Sequence, residues 1–308
     1  MKLTKLMFVF LTAMALATSC QKDTDVNQVP VVDAGVYKVI TLPQDSVSLK
    51  GTGSDLDGKV VAYLWSQVSG PSATTIVNPG TDSTLVRGFK EGKYIFQLMV
   101  TDNLGATGVD TVSVTVKPSP IKTVTFQPNN NPYEKAIMQM GSQDWSGIGY
   151  NEFLIDSWTV NQQQHTGRTI VKFDLSSIPA NSTIMNAKFY LYSNTPPENG
   201  NKQDANVGSN NAFTIQQVTS DWNPSTVNWF LLPSMATANQ IVVPSTTATS
   251  LDLEIDVTAM VADMVNTSKN YGFFMKLQNE AVYTSRFFVS SYHPTKTDKH
   301  PKLVITYK

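Results

Sequence analysis

The residue types best suited to chemistry gather in one stretch of the sequence. Trp145 sits in the loop Gly141-Ser-Gln-Asp-Trp-Ser-Gly-Ile-Gly149, with Tyr150, Trp158 and the run Asn161-Gln-Gln-Gln-His165 close behind. A pyranose ring presents a weakly polarised C–H face that docks on the negative face of an aromatic ring, while its hydroxyls pair with planar polar groups such as Asn, Gln, Asp and Arg. Trp145, Tyr150, Trp158 and His165 are therefore candidates for carbohydrate contact, with Tyr292 and His293 in the final loop as further ones. Trp145 reads as exposed, because a large aromatic in a Gly/Ser/Asp loop has few places to bury. Trp158 reads equally well as a ring buried at a strand end. Trp145→Ala is expected to lower glycan retention without lowering thermal stability.

Most other chemistry lacks its motif. There is no G-x-S-x-G elbow, and His165, His293 and His300 have no metal-ligand spacing. Phosphate-cradling and dinucleotide fingerprints are missing too. A paired-carboxylate glycosidase has no motif to search for, since its acids need be close only in space. Yet Asp and Glu total 24, and most fall in turns or at strand ends. No catalytic residue is assigned, and the chain is expected not to be an enzyme. Asp55 and Asp57 beside Gly58 could face a hard cation, but calcium takes six to eight oxygens and this spacing supplies two carboxylates. A solvated turn is the preferred reading, so no cofactor is expected.

Around these residues lies a chain of 308, with 41% hydrophobic and 15% charged side chains, long enough for about two domains. Residues 1–19 read as a signal segment: Lys2 and Lys5, then an apolar run from Leu6 to Ala17 too short to span a bilayer stably. Cys20 is the only cysteine, and Ala17-Thr-Ser-Cys20 resembles the lipobox of bacterial lipoproteins, in which the thiol is acylated. The resemblance implies a lipid anchor at Cys20, no disulfide and no cysteine nucleophile. Residues 20–28 read as a flexible tether. Lys22-Asp23 resembles the short charged signals that send some lipoproteins to the outer face of the outer membrane. The formal net charge of −1 becomes −3 once Lys2 and Lys5 leave with the signal, which argues against nucleic acid as a partner.

Residues 29–117 carry short period-2 runs, among them Val61, Tyr63 and Trp65, then Tyr94, Phe96, Leu98 and Val100, then Val112, Val114 and Val116. Gly-, Asp- and Pro-rich turns separate them, as in an immunoglobulin-like β-sandwich. Val32-Asp-Ala-Gly35, Asp55-Leu-Asp-Gly58, Trp65-x-Gln67-x-Ser69-Gly-Pro71 and Val100-Thr-Asp-Asn-Leu-Gly-Ala106 resemble a PKD-type domain. That resemblance implies a spacer, with Trp65 in the core. Pro118-Ser-Pro120 opens a stiff linker over 118–121.

Residues 122–308 read as strand and loop organised around Gly167 to Tyr192, two strands joined by the corner Asp174-Leu-Ser-Ser-Ile-Pro-Ala-Asn-Ser-Thr. One helix is predicted from Thr258 to Asn266, capped by Thr258. Arg168, Phe173-Asp-Leu-Ser-Ser-Ile-Pro179, Ala187-Lys-Phe-Tyr-Leu-Tyr192, Trp222-Asn-Pro-Ser-Thr-Val-Asn-Trp229 and Asn270-Tyr-Gly-Phe273 resemble the DNRLRE-type carbohydrate-binding module, a bacterial β jelly roll. In that pattern Trp222 and Trp229 are explained by packing, and Arg168 is as well read as a charge partner as an anion ligand.

The fold expected is thus all-β: an immunoglobulin-like β-sandwich followed by a β jelly-roll sandwich with one short helix. The function expected is a non-catalytic, lipid-anchored, monomeric cell-surface protein of the outer membrane that binds polysaccharide, serving glycan-degrading or uptake proteins. An adhesin that binds another protein and a polysaccharide-cleaving enzyme are the alternatives. Some relatives of the jelly-roll family bind acidic polysaccharides such as alginate, but the mature chain has no obvious basic cluster, which leaves neutral and acidic glycans both open.

Overall fold

A computed structural model describes residues 26–308. The expected signal segment, Cys20 and most of the tether lie outside the described residues. The chain divides into two compact units after Ser119.

In the first unit, Lys38–Thr41, Thr107–Lys117, Gly92–Asp102 and Val60–Ser69 form a four-stranded sheet in that order, and Ser46–Lys50, Ser83–Arg87 and Thr75–Ile76 form a three-stranded one. Alternate residues of Gly92–Asp102 (Tyr94, Phe96, Leu98, Val100) point inward, and Trp65 joins them at 2% exposure. The Trp65 indole N–H, which needs an acceptor once buried, donates to the Thr81 carbonyl at 3.1 Å. Trp65 is therefore core.

The second unit is the jelly roll. One sheet runs Lys122–Phe126, Lys302–Tyr307, Ile184–Leu191, Leu253–Asp256. The other contains Thr284–Val289, Glu152–Val160, Gln163–Val171, Phe273–Leu277 and Phe213–Gln217 as consecutive neighbours, with Glu134–Met140 pairing on Gln163–Val171. Phe153, Ile155, Val171, Phe173, Phe189, Phe213, Phe273, Phe288, Leu303 and Ile305 fill the space between. Phe173 meets Phe189 edge to face, and Phe189 stacks on Phe273. The corner after Phe173 forms as its composition dictates: the Asp174 carboxylate accepts the Ser176 N–H at 2.9 Å, and the Leu175 carbonyl accepts the Ile178 N–H. Gly272 has φ +86°, and a Cβ there would stand 2.1 Å from the Val171 carbonyl oxygen, so only glycine lets these strands approach.

The helix spans Thr258–Thr267 and buries Met260, Val261, Met264 and Val265. Its cap differs from the expectation. Val257 is the N-cap, without a side-chain bond, while the Thr258 hydroxyl accepts the Ala187 N–H at 2.9 Å and the Asp256 carboxylate accepts the Thr258 N–H at 3.0 Å. The hydroxyl is taken by the neighbouring strand instead of its own helix. Among the described residues, no helix is long and apolar enough to cross a membrane.

Candidate functional site

The sequence runs Glu152–Val160 straight into Gln163–Val171 through a two-residue hairpin. Asn161 (φ 50°) and Gln162 (φ 66°) both take the left-handed conformation that such turns require. The hairpin register sets Trp158 opposite His165 and Asp156 opposite Gly167. Leu154, Asp156, Trp158 and Val160 alternate along one face of their strand, and with His165 they line a furrow of about 340 Å³. Met138, Met140, Trp145 and Tyr150 form one wall, and Asn199 and Gly200, from the long 195–211 loop, close the other.

Each ring is held from behind. Trp158 is half-buried and meets Tyr283 edge to face, with centroids 5.2 Å apart at 85°. The loop that carries Trp145 includes the two-residue strand Gln143–Asp144, which pairs with Met140 and Gln139. The Trp145 N–H donates to the Met138 carbonyl at 2.9 Å, and Gly147 and Ala136 exchange two backbone bonds of 2.9 Å. These bonds fix the backbone while the indole stays 53% exposed and the Tyr150 ring 38% exposed. Burial pushes the Tyr150 phenol above its ordinary pKa, so it serves as a neutral donor.

Asp156 lies beneath the rings, 2% exposed. Its Oδ2 faces His165 Nδ1 at 3.2 Å, and its Oδ1 has no hydrogen-bond partner. Burial raises its pKa, opposed by the bond to His165. A Cβ at Gly167 would stand 2.2 Å from Asp156 Oδ1, so the glycine makes the room in which this carboxyl sits. Arg168 forms a bidentate pair with Glu280, at 2.8 and 3.0 Å, and lies 3.9 Å from the ring centroid of Trp229. It is a charge partner. Trp222 is buried with Ile137, Ile170 and Phe274, its indole N–H donating to the Tyr271 carbonyl at 2.8 Å.

Four of the six carbohydrate candidates, Trp145, Tyr150, Trp158 and His165, thus share one furrow. Tyr292 and His293 do not reach it. The Tyr292 hydroxyl donates to the Asn131 carbonyl at 2.8 Å, and the hollow that it lines with Tyr150 holds about 10 Å³. His293 is 7% exposed, its Nδ1 accepts the N–H groups of Thr295 and Lys296, and its carbonyl faces His300 Nε2 at 2.9 Å. Burial lowers its pKa, which favours the neutral ring. Both are ties of the C-terminal loop. Of the asparagine–glutamine run, only Asn161 and His165 line the furrow. Sequence reasoning missed Asp156 and Asn199. Asp156 carried a signal, as an acid directly after the apolar run Phe153-Leu-Ile155; Asn199 carried none.

A larger hollow of about 700 Å³ opens at the corner, between Tyr133, Lys172, Asp174 and the end of the helix. Tyr133 at its rim has Lys172 Nζ over one face, 3.8 Å from the centroid, so this hollow offers one exposed ring where the furrow gathers Trp145, Tyr150 and Trp158. In the first unit both carboxylate oxygens of Asp55 and the Asn27 Oδ1 lack hydrogen-bond partners, while Asp57 Oδ2 accepts the Gln28 N–H at 3.0 Å. Burial, then Asp57 beside it, raises the Asp55 pKa. Among the described residues no three acidic, histidine or cysteine side chains surround one point, so a cation would need Asp57 to swing inward.

Comparison with known proteins agrees with this division. Residues 34–116 match the family model for the K319L-like PKD domain, and residues 127–307 match that for Carbohydrate-binding module family 96. Over 91 residues the chain is 40% identical to the Dyslexia-associated protein KIAA0319-like protein of Mus musculus, covering 30% of this chain and 9% of that protein. Over 100 residues it is 42% identical to Low-density lipoprotein receptor-related protein 11 of Mus musculus, covering 32% and 21%. The chain therefore spans only a small part of these relatives. Among solved structures, the PKD domain from KIAA 1837 protein is 37% identical, with 29% of this chain and 86% of that chain covered and a TM-score of 0.27. A structure titled for carbohydrate-binding modules of the beta-sandwich super family is 14% identical, with 92% of each chain covered and a TM-score of 0.23.

Proposed function

Because the chain belongs to Carbohydrate-binding module family 96 through residues 127–307, we propose that the furrow beside Trp145 binds polysaccharide without cleaving it. The observation that carries this reading is the convergence of Trp145, Tyr150, Trp158 and His165 on one furrow in which the Trp145 and Tyr150 rings are exposed and Trp158 is half-buried. Asn161 and Asn199 add amide groups at its margins for sugar hydroxyls. The binding role is favoured over hydrolysis by the acid content. Glycoside hydrolysis uses two carboxyl groups flanking the bond, and the lining supplies one, Asp156, with its oxygens covered.

The PKD unit acts as a spacer in this reading, with 118–121 as linker. Acylation of Cys20 holds the chain in the outer membrane, facing the cell exterior, where bound glycan is passed to degrading or uptake proteins. This part is supported by the sequence Ala17-Thr-Ser-Cys20 and the polar residues that follow. A glycan array with the full chain tests the binding role. Retention of a polysaccharide, weakened by Trp145→Ala and without new reducing or unsaturated ends, is the expected result. No retention, or release of new chain ends, would overturn it.

A further inference from the structure

Asn199 reaches the furrow from a long loop, and a buried carboxylate outside the lining holds it there. Glu152 opens the strand Glu152–Val160, on the same side of it as Leu154, Asp156 and Trp158. It is 2% exposed. Its Oε1 accepts the Asn194 amide and the Glu198 backbone N–H, both at 2.8 Å, and its Oε2 accepts the Asn199 amide at 2.7 Å. On the far side of Asn194, the Lys296 ammonium donates to the Asn194 side-chain carbonyl, and to the Thr195 backbone carbonyl at 3.1 Å. Gly200 pins the next position, since a Cβ there would stand 2.8 Å from the Phe287 ring. Residues 194–200 are thus seated on one buried acid and one ring. Burial raises the Glu152 pKa, and the three N–H bonds oppose that by favouring the charged form.

These bonds have a direction. An ionised carboxylate only accepts, so each amide beside it must turn its NH₂ end inward. The outward carbonyl of Asn194 meets Lys296. In Asn199, which lines the furrow, the outward carbonyl is the end left for a ligand. We propose that Glu152 is a positioning residue for the furrow: it fixes the Asn199 amide so that the carbonyl oxygen accepts a hydroxyl of the bound sugar. This role rests on the furrow being the polysaccharide site.

The pairing dictates what a swap does. In Glu152→Gln one of the two acceptors becomes a donor. The carbonyl that remains serves best in the Oε1 place, where two donors meet, so the new NH₂ group faces Asn199. The Asn199 amide must then turn round and offer a donor to the sugar in place of an acceptor. Asn199→Asp alone sets two carboxylates against each other. The two changes together restore an N–H bonded to a carboxylate oxygen, with the second oxygen outward, and keep the net charge of the pair.

Retention of the full chain is measured on gels cast with polymannuronan, polygalacturonan, laminarin or galactomannan, at about pH 8 so that carboxyl groups are ionised. Trp145→Ala should weaken retention and so marks the site. Glu152→Gln and Asn199→Asp should each weaken it about fivefold or more, and the double variant should return to within about twofold of wild type. A residue needed only for folding gives no such recovery. Where Trp145→Ala weakens retention, a double variant as weak as its singles, or Glu152→Gln retained like wild type, overturns the positioning role and leaves the furrow as the site. Should Glu152→Gln not fold alone, a double variant that folds and is retained is the same rescue, and one that does not fold overturns the pairing. Retention that Trp145→Ala does not change, or no retention on any of the four gels, overturns the site and the role together.

Discussion

Removing the Trp145 indole tests the furrow with the least disturbance to the fold, and its size can be worked out. The residue is 53% exposed, so about half of the roughly 200 Å² that a tryptophan can bury remains for a ligand to cover. At about 25 cal/mol per Å², the ~100 Å² open to ligand is worth at most about 2.5 kcal/mol, an upper limit because area converts poorly to affinity. Trp145→Ala should therefore weaken glycan binding by roughly tenfold, and by no more than about seventyfold. The covered half matters as well, which corrects the expectation of unchanged stability. The indole is part of the furrow's wall, and loss of its covered half should cost up to about 2 kcal/mol, or a few degrees in the melting midpoint. Affinity electrophoresis on the retained polysaccharide at 20 °C, well below that midpoint, separates the two effects. Unchanged mobility shift beside a lowered midpoint would show the ring to be a packing residue, and the stacking argument would fail.

Three other outcomes follow from particular contacts. Gly167→Ala would drive a Cβ into Asp156 Oδ1 and against Leu154, so it should destabilise the second unit by about 1–3 kcal/mol; a urea midpoint equal to wild type would refute the close packing. Burial raises Glu134 from 4.5 to about 8, so the folded chain keeps a proton that the unfolded chain loses near pH 4.5. Stability should then fall, by a few kcal/mol at most, as pH rises from about 4.5 to about 8. Glu134→Gln should flatten that dependence, and an identical pH profile for the variant would count against it. Calcium at about 10 mM should leave the midpoint of the first unit where it is, because Asp55 and Asp57 supply two carboxylates and the ion takes six to eight oxygens; a rise of a few degrees would show that Asp57 turns inward to complete a site with the unpartnered oxygens of Asp55 and Asn27. The comparison is with a chelator-treated sample.

Local pattern and long-range pairing contributed differently to what could be read in advance. The strand pattern was legible because period-2 alternation in Gly92–Asp102 and Lys302–Tyr307 is imposed by burial of one face. Trp145 was legible for the opposite reason, since a polar, glycine-rich loop leaves an indole nowhere to go. Asp156 was not assigned, because its burial depends on Gly167 across the hairpin and on His165 as its neighbour, a matter of register. Tyr292 and His293 looked available in a polar loop. What ties them down, the Asn131 carbonyl for Tyr292 and the Thr295 and Lys296 backbone with the His300 ring for His293, is contact geometry that loop composition does not reveal. Thr258 shows the same limit on a smaller scale: helix-cap preference lost to a strand that needed an acceptor for the Ala187 N–H.

The most direct measurement is the response of the five indole N–H signals in an ¹⁵N-labelled chain as an oligosaccharide of the retained polymer is added. Trp145 and Trp158 should shift in proportion to occupancy, while the buried Trp65 and Trp222 stay where they are. Shifts confined to other tryptophans, or none at all at a saturating concentration, would contradict the furrow as the site of carbohydrate recognition.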